Sequence, residues 1–219
     1  MKVGTDGVLL GAWADVPPAS AAVSRPPRVL DVGTGTGVIA LMMAQRFPQA
    51  RLTAIDVDAG AVTQARGNVA AAGWESRVSV LHQRVQELAR CAELQEWYDA
   101  VVSNPPFFAG SLLAPGARRA VARHGVELTY GELMEAAWRL LTGEGELSVV
   151  VPFDYRRRME DEATFRGFFP SRRCAVSTRE GKPPRRFLLA FRKHPCDCEL
   201  TDMTVGDHSY RQLTGDFYL

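Results

Sequence analysis

The segment "VLDVGTGTGVIALMMAQRF", Val29 to Phe47, is compatible with few folds. An apolar run, Val29–Val32, contains one acid, Asp31, and breaks into Gly33, Gly35 and Gly37 before helical spacing begins at Val38. Pro48 stops that helix, and Leu52–Val57 reads as the next strand. A strand that enters a glycine loop and leaves it as a helix, with another strand close behind, starts a parallel βαβ unit. The glycines let the backbone approach a ligand, and the free N–H groups at the helix start favour a polar or anionic group.

The alternation continues. A helix is predicted over Ala59–Ala71 with a stop at Gly73, a strand near Val78–His82, a helical stretch near Val85–Glu93 and a strand in "WYDAVVS". After a Pro-Pro loop come an amphipathic helix over Tyr130–Leu141, a strand in "GELSVVVP" and a mainly helical Phe153–Phe169. Strands over Arg173–Thr178 and Arg186–Arg192, around Gly181, Pro183 and Pro184, read as a hairpin. The expected fold is α/β: a doubly wound, mostly parallel sheet of seven strands with an antiparallel edge hairpin. With 219 residues and no long linker, one domain is expected. Residues 1–27 form an N-terminal segment and tether, 28–193 the core, and 194–219 a C-terminal tail. Thr5 or Asp6 can cap a helix in "MKVGTDGVLLGAWA", while Gly4, Gly7 and Gly11 suggest close packing against a ligand or the sheet.

The glycine spacing is GxGxG, without the GxGxxG of a dinucleotide site. Asp31 at the strand end suits an ammonium or amide donor and would serve a pyrophosphate poorly. Asp56 ends the second strand 21 residues past Gly35, where an acid meets a ribose diol. Asp58 either shares that task or caps the next helix. Together these features point to a nucleoside carrying an amino-acid tail, S-adenosylmethionine; a dinucleotide or a purely structural turn are the alternatives. In "SNPPFF", Asn104 and the Pro105 carbonyl can accept both hydrogens of a planar amine, and Phe107 can stack on the base that bears it. Pro105 and Pro106 fix the backbone and remove two N–H donors.

"DVGTGTG", "AIDVD" and "SNPPFF" together resemble class I, seven-stranded, S-adenosylmethionine-dependent amino methyltransferases. "MKVGTDGVLLGAWA", "ARRAVARHGVELTYGELMEAA", "KPPRRFLLAFRK" and "YRQLTGDFYL" narrow the resemblance to bacterial enzymes that methylate N6 of adenine 37, beside the anticodon of a valine-accepting tRNA. The resemblance implies Asp31, Gly33, Gly35 and Gly37 around the methionine part of the cofactor, Asp56 on the ribose, and Asn104-Pro105-Pro106-Phe107 on the target base. It also implies that Lys2 and Thr5–Asp6 belong to a segment covering the cofactor. Related enzymes often carry an acid after strand three for the cofactor adenine; here "LHQRV" offers Gln83 and Arg84, and no residue is assigned to that contact. Family members also run further upstream, which would put part of the cover outside this chain.

Net charge is +1, yet between Arg156 and Lys193 there are 12 Lys/Arg against 4 Asp/Glu. Such a cluster steers a polyanion or forms a solvated face. Arg118, Arg119 and Arg123 after the substrate loop, and Arg185 and Arg186 in the hairpin, are the expected phosphate contacts. His82 reads as a packed or hydrogen-bonded residue, and the four tryptophans as core. Cys196-Asp197-Cys198 has C-x-C spacing with no second pair, so no metal is expected. Without an apolar span or a signal peptide, the cytoplasm is the default compartment, with no membrane and no stable protein partner implied. Methylation of a release-factor glutamine amide or of ribosomal RNA guanine N2 remains open at this point, as does a non-catalytic RNA-binding role.

Overall fold

A computed structural model describes residues 4–18, 25–106 and 128–217. Eight strands form one sheet in the order β3-β2-β1-β4-β5-β7-β6-β8. They are β1 Arg28–Val32, β2 Arg51–Asp56, β3 Val78–His82, β4 Tyr98–Ser103, β5 Leu141–Pro152, β6 Phe169–Ser177, β7 Arg186–Arg192 and β8 Glu199–Thr204. Only β7 runs against its neighbours. The helices are α1 Thr5–Trp13, α2 Val38–Arg46, α3 Ala59–Ala71, α4 Val85–Leu88, α5 Tyr130–Leu140, α6 Arg156–Phe165 and α7 His208–Thr214.

The doubly wound class is as expected, and one apolar core lies on each face. Leu9, Met43 and Val62 pack on one side of the sheet, and Tyr130, Met134 and Met159 on the other. β1 and β4 pair in parallel, as do β1 and β2, so the strand order reverses at β1. A crevice opens outside the carboxyl ends at such a point.

Three expectations need correction. The sheet has eight strands, because part of the C-terminal tail adds β8 beside β6. Only Met203 of β8 is buried, so the alternation that marks a half-buried strand is missing from its sequence. β6 begins at Phe169, earlier than Arg173, with an irregular register between Pro170 and Arg172. A proline that cannot donate to the ladder accounts for that irregularity.

The third correction concerns α1. Its N-cap is Gly4, with no side-chain cap from Thr5 or Asp6. Gly7 and Gly11 pack against α2, a neighbouring helix, while a Cβ at Gly4 would meet nothing within 4 Å. A Cβ at Gly11 would come within 2.9 Å of Met42 Sδ and 3.0 Å of Met42 Cβ. Arg46 donates to the Gly11 and Ala14 carbonyls, and Arg172 donates to the Trp13 carbonyl while lying over its ring. Cations at a helix C-terminus satisfy its last acceptors.

Candidate active site

The glycine loop is held from three sides. Gly33, Gly35 and Gly37 have φ of 72°, 55° and 82°, the left-handed region that glycine enters without strain. Gly33 and Thr34 donate to the Ile55 carbonyl at 2.9 and 3.0 Å, tying the loop to β2. Asn68 of α3 donates to the Thr36 carbonyl at 2.8 Å. A Cβ at Gly37 would sit 3.3 Å from the Ala65 Cβ, so this glycine lets α3 close on the loop. A Cβ at Gly33 would meet nothing within 4 Å: the backbone here faces open space.

Asp56 reaches across to the loop. One carboxylate oxygen accepts the Gly35 N–H at 2.8 Å, and the other the Asp58 N–H at 2.9 Å. Asp58 is the N-cap of α3, accepting the Ala61 N–H at 2.7 Å. Of its two expected tasks, the cap is the one seen here.

Asp31 is fully buried. One oxygen accepts from Thr34 Oγ1 at 2.6 Å and from the Ala40 N–H at 3.2 Å; the other has no partner among the described residues. Burial pushes its pKa up to about 7, against the pull of the Thr34 and Ala40 bonds.

A cavity of about 280 Å³ opens at the carboxyl ends of β1, β2 and β4. Gly33, Gly35, Asp56 and Asn104 line it with apolar walls that include Val57 and Val85. Ser103 also lines it, and its hydroxyl donates to the Val32 carbonyl at 2.8 Å, locking β4 to β1. Asn104 follows directly. Its side-chain oxygen is buried with no partner among the described residues, and Pro105 beside it is buried too.

The sequence model of the methyltransferase small domain family matches residues 20–173. The chain belongs to that family. It is 44% identical to a tRNA1(Val) (adenine(37)-N6)-methyltransferase of Phocaeicola vulgatus, covering 100% of this chain and 91% of that one. The enzyme of the same description from Tolumonas auensis is 37% identical, over 100% and 90% of the two chains. Among solved structures, a predicted O-methyltransferase of Agrobacterium tumefaciens shares the fold with a TM-score of 0.70 at 18% identity, covering 96% and 95%. TrmN from Thermus thermophilus matches with a TM-score of 0.56 at 25% identity, over 78% of this chain and 45% of that one.

For a class I methyltransferase fold, the group to be tested against the residues is S-adenosylmethionine. The residues fit it. Gly33 faces open space, Asp31 keeps an unpartnered carboxylate oxygen, and Asp56 ends β2 at the cavity wall. Asp31 itself does not line the cavity but lies under Thr34.

Sequence reasoning missed Ser103 as a lock and Asn68 as a clamp. A serine closing the apolar run "AVV" was a usable signal for the first; nothing local marks the second. Gln83 and Gln86 line the cavity beyond β3, while Arg84 does not. Gln83 donates to Glu87 at 2.8 Å. His82 bonds the Val57 carbonyl at 2.9 Å, and Trp97 is half exposed under the Arg28 guanidinium, a departure from the core role expected of it.

Asp6, expected near the cofactor, and Arg186, expected on phosphate, lie against each other. They form an ion pair with each other, at 2.8 and 2.9 Å, fastening α1 to β7. Among the described residues, at least seven of the twelve cations between Arg156 and Lys193 are in ion pairs. The local charge surplus is therefore largely internal, and Arg185 stays exposed. Thr5 is exposed at the start of α1. Lys2, Phe107, Arg118, Arg119 and Arg123 lie outside the described residues. Among the described residues, no group of three or more His, Cys, Asp or Glu is placed to hold a metal, and no helix is long and apolar enough to cross a membrane.

Proposed function

We propose that this protein uses S-adenosylmethionine to methylate N6 of the adenine next to the anticodon of a valine-accepting tRNA. The observation that carries the amine-methylating part is the Asn104 carboxamide oxygen, buried at the cavity where β4 ends and without a partner among the described residues. A buried acceptor without a donor costs free energy in the free protein, and a substrate N–H removes that cost. The tRNA part is supported by relatives up to 44% identical across the whole chain.

S-adenosylmethionine, when bound, supplies a methyl group on an electron-poor sulfur. Gly33 and Gly35 hold its methionine part, with Gly37 and the buried Asp31 shaping the loop behind them, and Asp56 accepts from the ribose. Lys2 and the Thr5 end of α1 belong to the segment that covers it, and the chain acts as one domain over residues 1–219. Asn104 and the Pro105 carbonyl accept the two hydrogens of the adenine amine. That withdraws the nitrogen lone pair from the ring and orients it, which combines positioning with electrostatic help. Pro106 fixes the backbone and Phe107 stacks on the base. Arg185, with Arg118, Arg119 and Arg123, contacts phosphates.

The test offers labelled cofactor with unmodified total tRNA, ribosomal RNA and a release factor in parallel, and identifies the modified product. N6-methyladenosine beside the anticodon of one valine tRNA is expected. Label confined to a glutamine or a guanine would replace the tRNA reading and leave amine methylation intact. Asn104→Ala should slow transfer at least about tenfold while cofactor affinity stays within twofold. Full activity in that variant would remove the role given to Asn104.

A further inference from the structure

At the carboxyl end of the sheet β5 outruns β4. Ser103 is level with Val149, and β5 continues to Pro152, whose partner on β7 is Arg186. Phe153 follows. It opens the short 3-10 turn Phe153–Tyr155, three residues past the β5 position level with Asn104, about 10 Å at the usual strand rise. Its backbone is fixed there, because its N–H donates to the Arg185 carbonyl at 3.1 Å.

The Phe153 ring is 48% exposed. It leans on Phe187, with centroids 5.9 Å apart and planes inclined by 37°, so a buried ring supports it from one side. The Arg156 guanidinium lies 5.3 Å over the same Phe187 ring. Arg185 is exposed beside it. A half-exposed aromatic on a rigid support, edged by arginines, has the composition of a stacking platform for a nucleobase and its phosphate. An apolar protein partner would gain nothing from that arginine edge.

We infer that Phe153 stacks on an unpaired base a few nucleotides from the methylated one, a positioning contact that sets how the RNA loop enters the site. The inference rests on the tRNA reading above. Its offset of about 10 Å from Asn104 is several times the roughly 3.4 Å spacing of stacked bases, so the ring serves a base a few nucleotides along the loop. The platform leaves the target itself to Asn104.

The test measures methylation kinetics on an unmodified valine-tRNA anticodon stem-loop for the wild type and for Phe153→Ala, Phe153→Leu and Phe153→Trp. Phe153→Ala should raise the KM for RNA about tenfold, the lower part of the range for loss of one base stack, with the KM for S-adenosylmethionine and the melting temperature unchanged. Phe153→Trp should restore the wild-type value, because it keeps a π face, and Phe153→Leu should behave like Phe153→Ala. A wild-type KM in Phe153→Ala, or full rescue by Phe153→Leu, would overturn the inference while methylation of tRNA by the wild type stood. A wild-type enzyme that methylates no tRNA would overturn the reading beneath it. In the same stem-loop, 2-aminopurine substituted singly at the unpaired positions within about three nucleotides of the target should be quenched at one of them by wild type and not by Phe153→Ala; equal quenching by both at every position would also overturn it.

Discussion

The Asp56 carboxylate accepts the Gly35 N–H at 2.8 Å, so the acid that ends β2 holds the loop that follows β1. One side chain thereby shapes two walls of the cavity, and its removal acts on both. Asp56→Ala should weaken S-adenosylmethionine binding by ~1–3 kcal/mol, the range for a hydrogen bond to a charged group. Calorimetry on the folded variant checks this. Unchanged affinity would mean that neither the loop geometry nor a ribose contact depends on Asp56.

Asp31 gives a pH signature. Its folded pKa is raised from 3.8 to about 7, so the folded state holds a proton that the unfolded chain has already lost. Stability attributable to Asp31 is unaffected below about pH 4, falls as pH rises through that window, and is constant above about pH 7. By linkage the full loss has an upper bound of about 4 kcal/mol. The Asp31→Asn variant, which cannot ionise, should gain on the wild type progressively from pH 4 to 7 in cofactor-free denaturation experiments. A stability difference independent of pH across that range would contradict the assignment.

Arg185 and Arg186 are neighbours with different tasks. Arg186 is spent on Asp6, and Arg185 is exposed. Arg185→Ala should lower the slope of log affinity against log salt for RNA by about 0.7–0.9, the value for one phosphate contact. Arg186→Ala should leave that slope alone and raise hydrogen exchange in α1. The same salt slope change in both variants would show that the ion pair opens when RNA binds.

Glu146 anchors the far half of the sheet. It is fully buried, holds Arg172 at 2.6 Å and Arg192 at 3.2 Å, and accepts from Ser171 at 3.1 Å. Glu146→Ala removes the shared partner of two part-exposed guanidiniums and should cost about 1.5–3 kcal/mol in urea denaturation, the range for a hydrogen bond to a charged group. Because Arg172 also donates to the Trp13 carbonyl, α1 should loosen in the same variant. A loss under 1 kcal/mol would show that the arginines find water instead.

The linear sequence contains the order of strands and helices from β1 to β7, the glycine loop, and the positions of Asp56 and Asn104. Each is written locally: a strand by its apolar run, a loop by three glycines at fixed spacing, a strand end by Asn-Pro-Pro. Such features depend on neighbours within a turn or a strand length, which a linear reading contains. Tertiary structure decided which arginines remain available, because Arg186 meets Asp6 across 180 residues and Arg172 meets Glu146 across 26. It decided that Asp58 caps α3, that Asp31 keeps an unpartnered oxygen, and that β8 extends the sheet although most of its side chains are exposed. It also put Phe153 beyond the end of β4, through the register of β5. Ion pairs, register and orphaned acceptors are set by what the folded chain brings alongside a residue, and that partner is not encoded near it in the sequence.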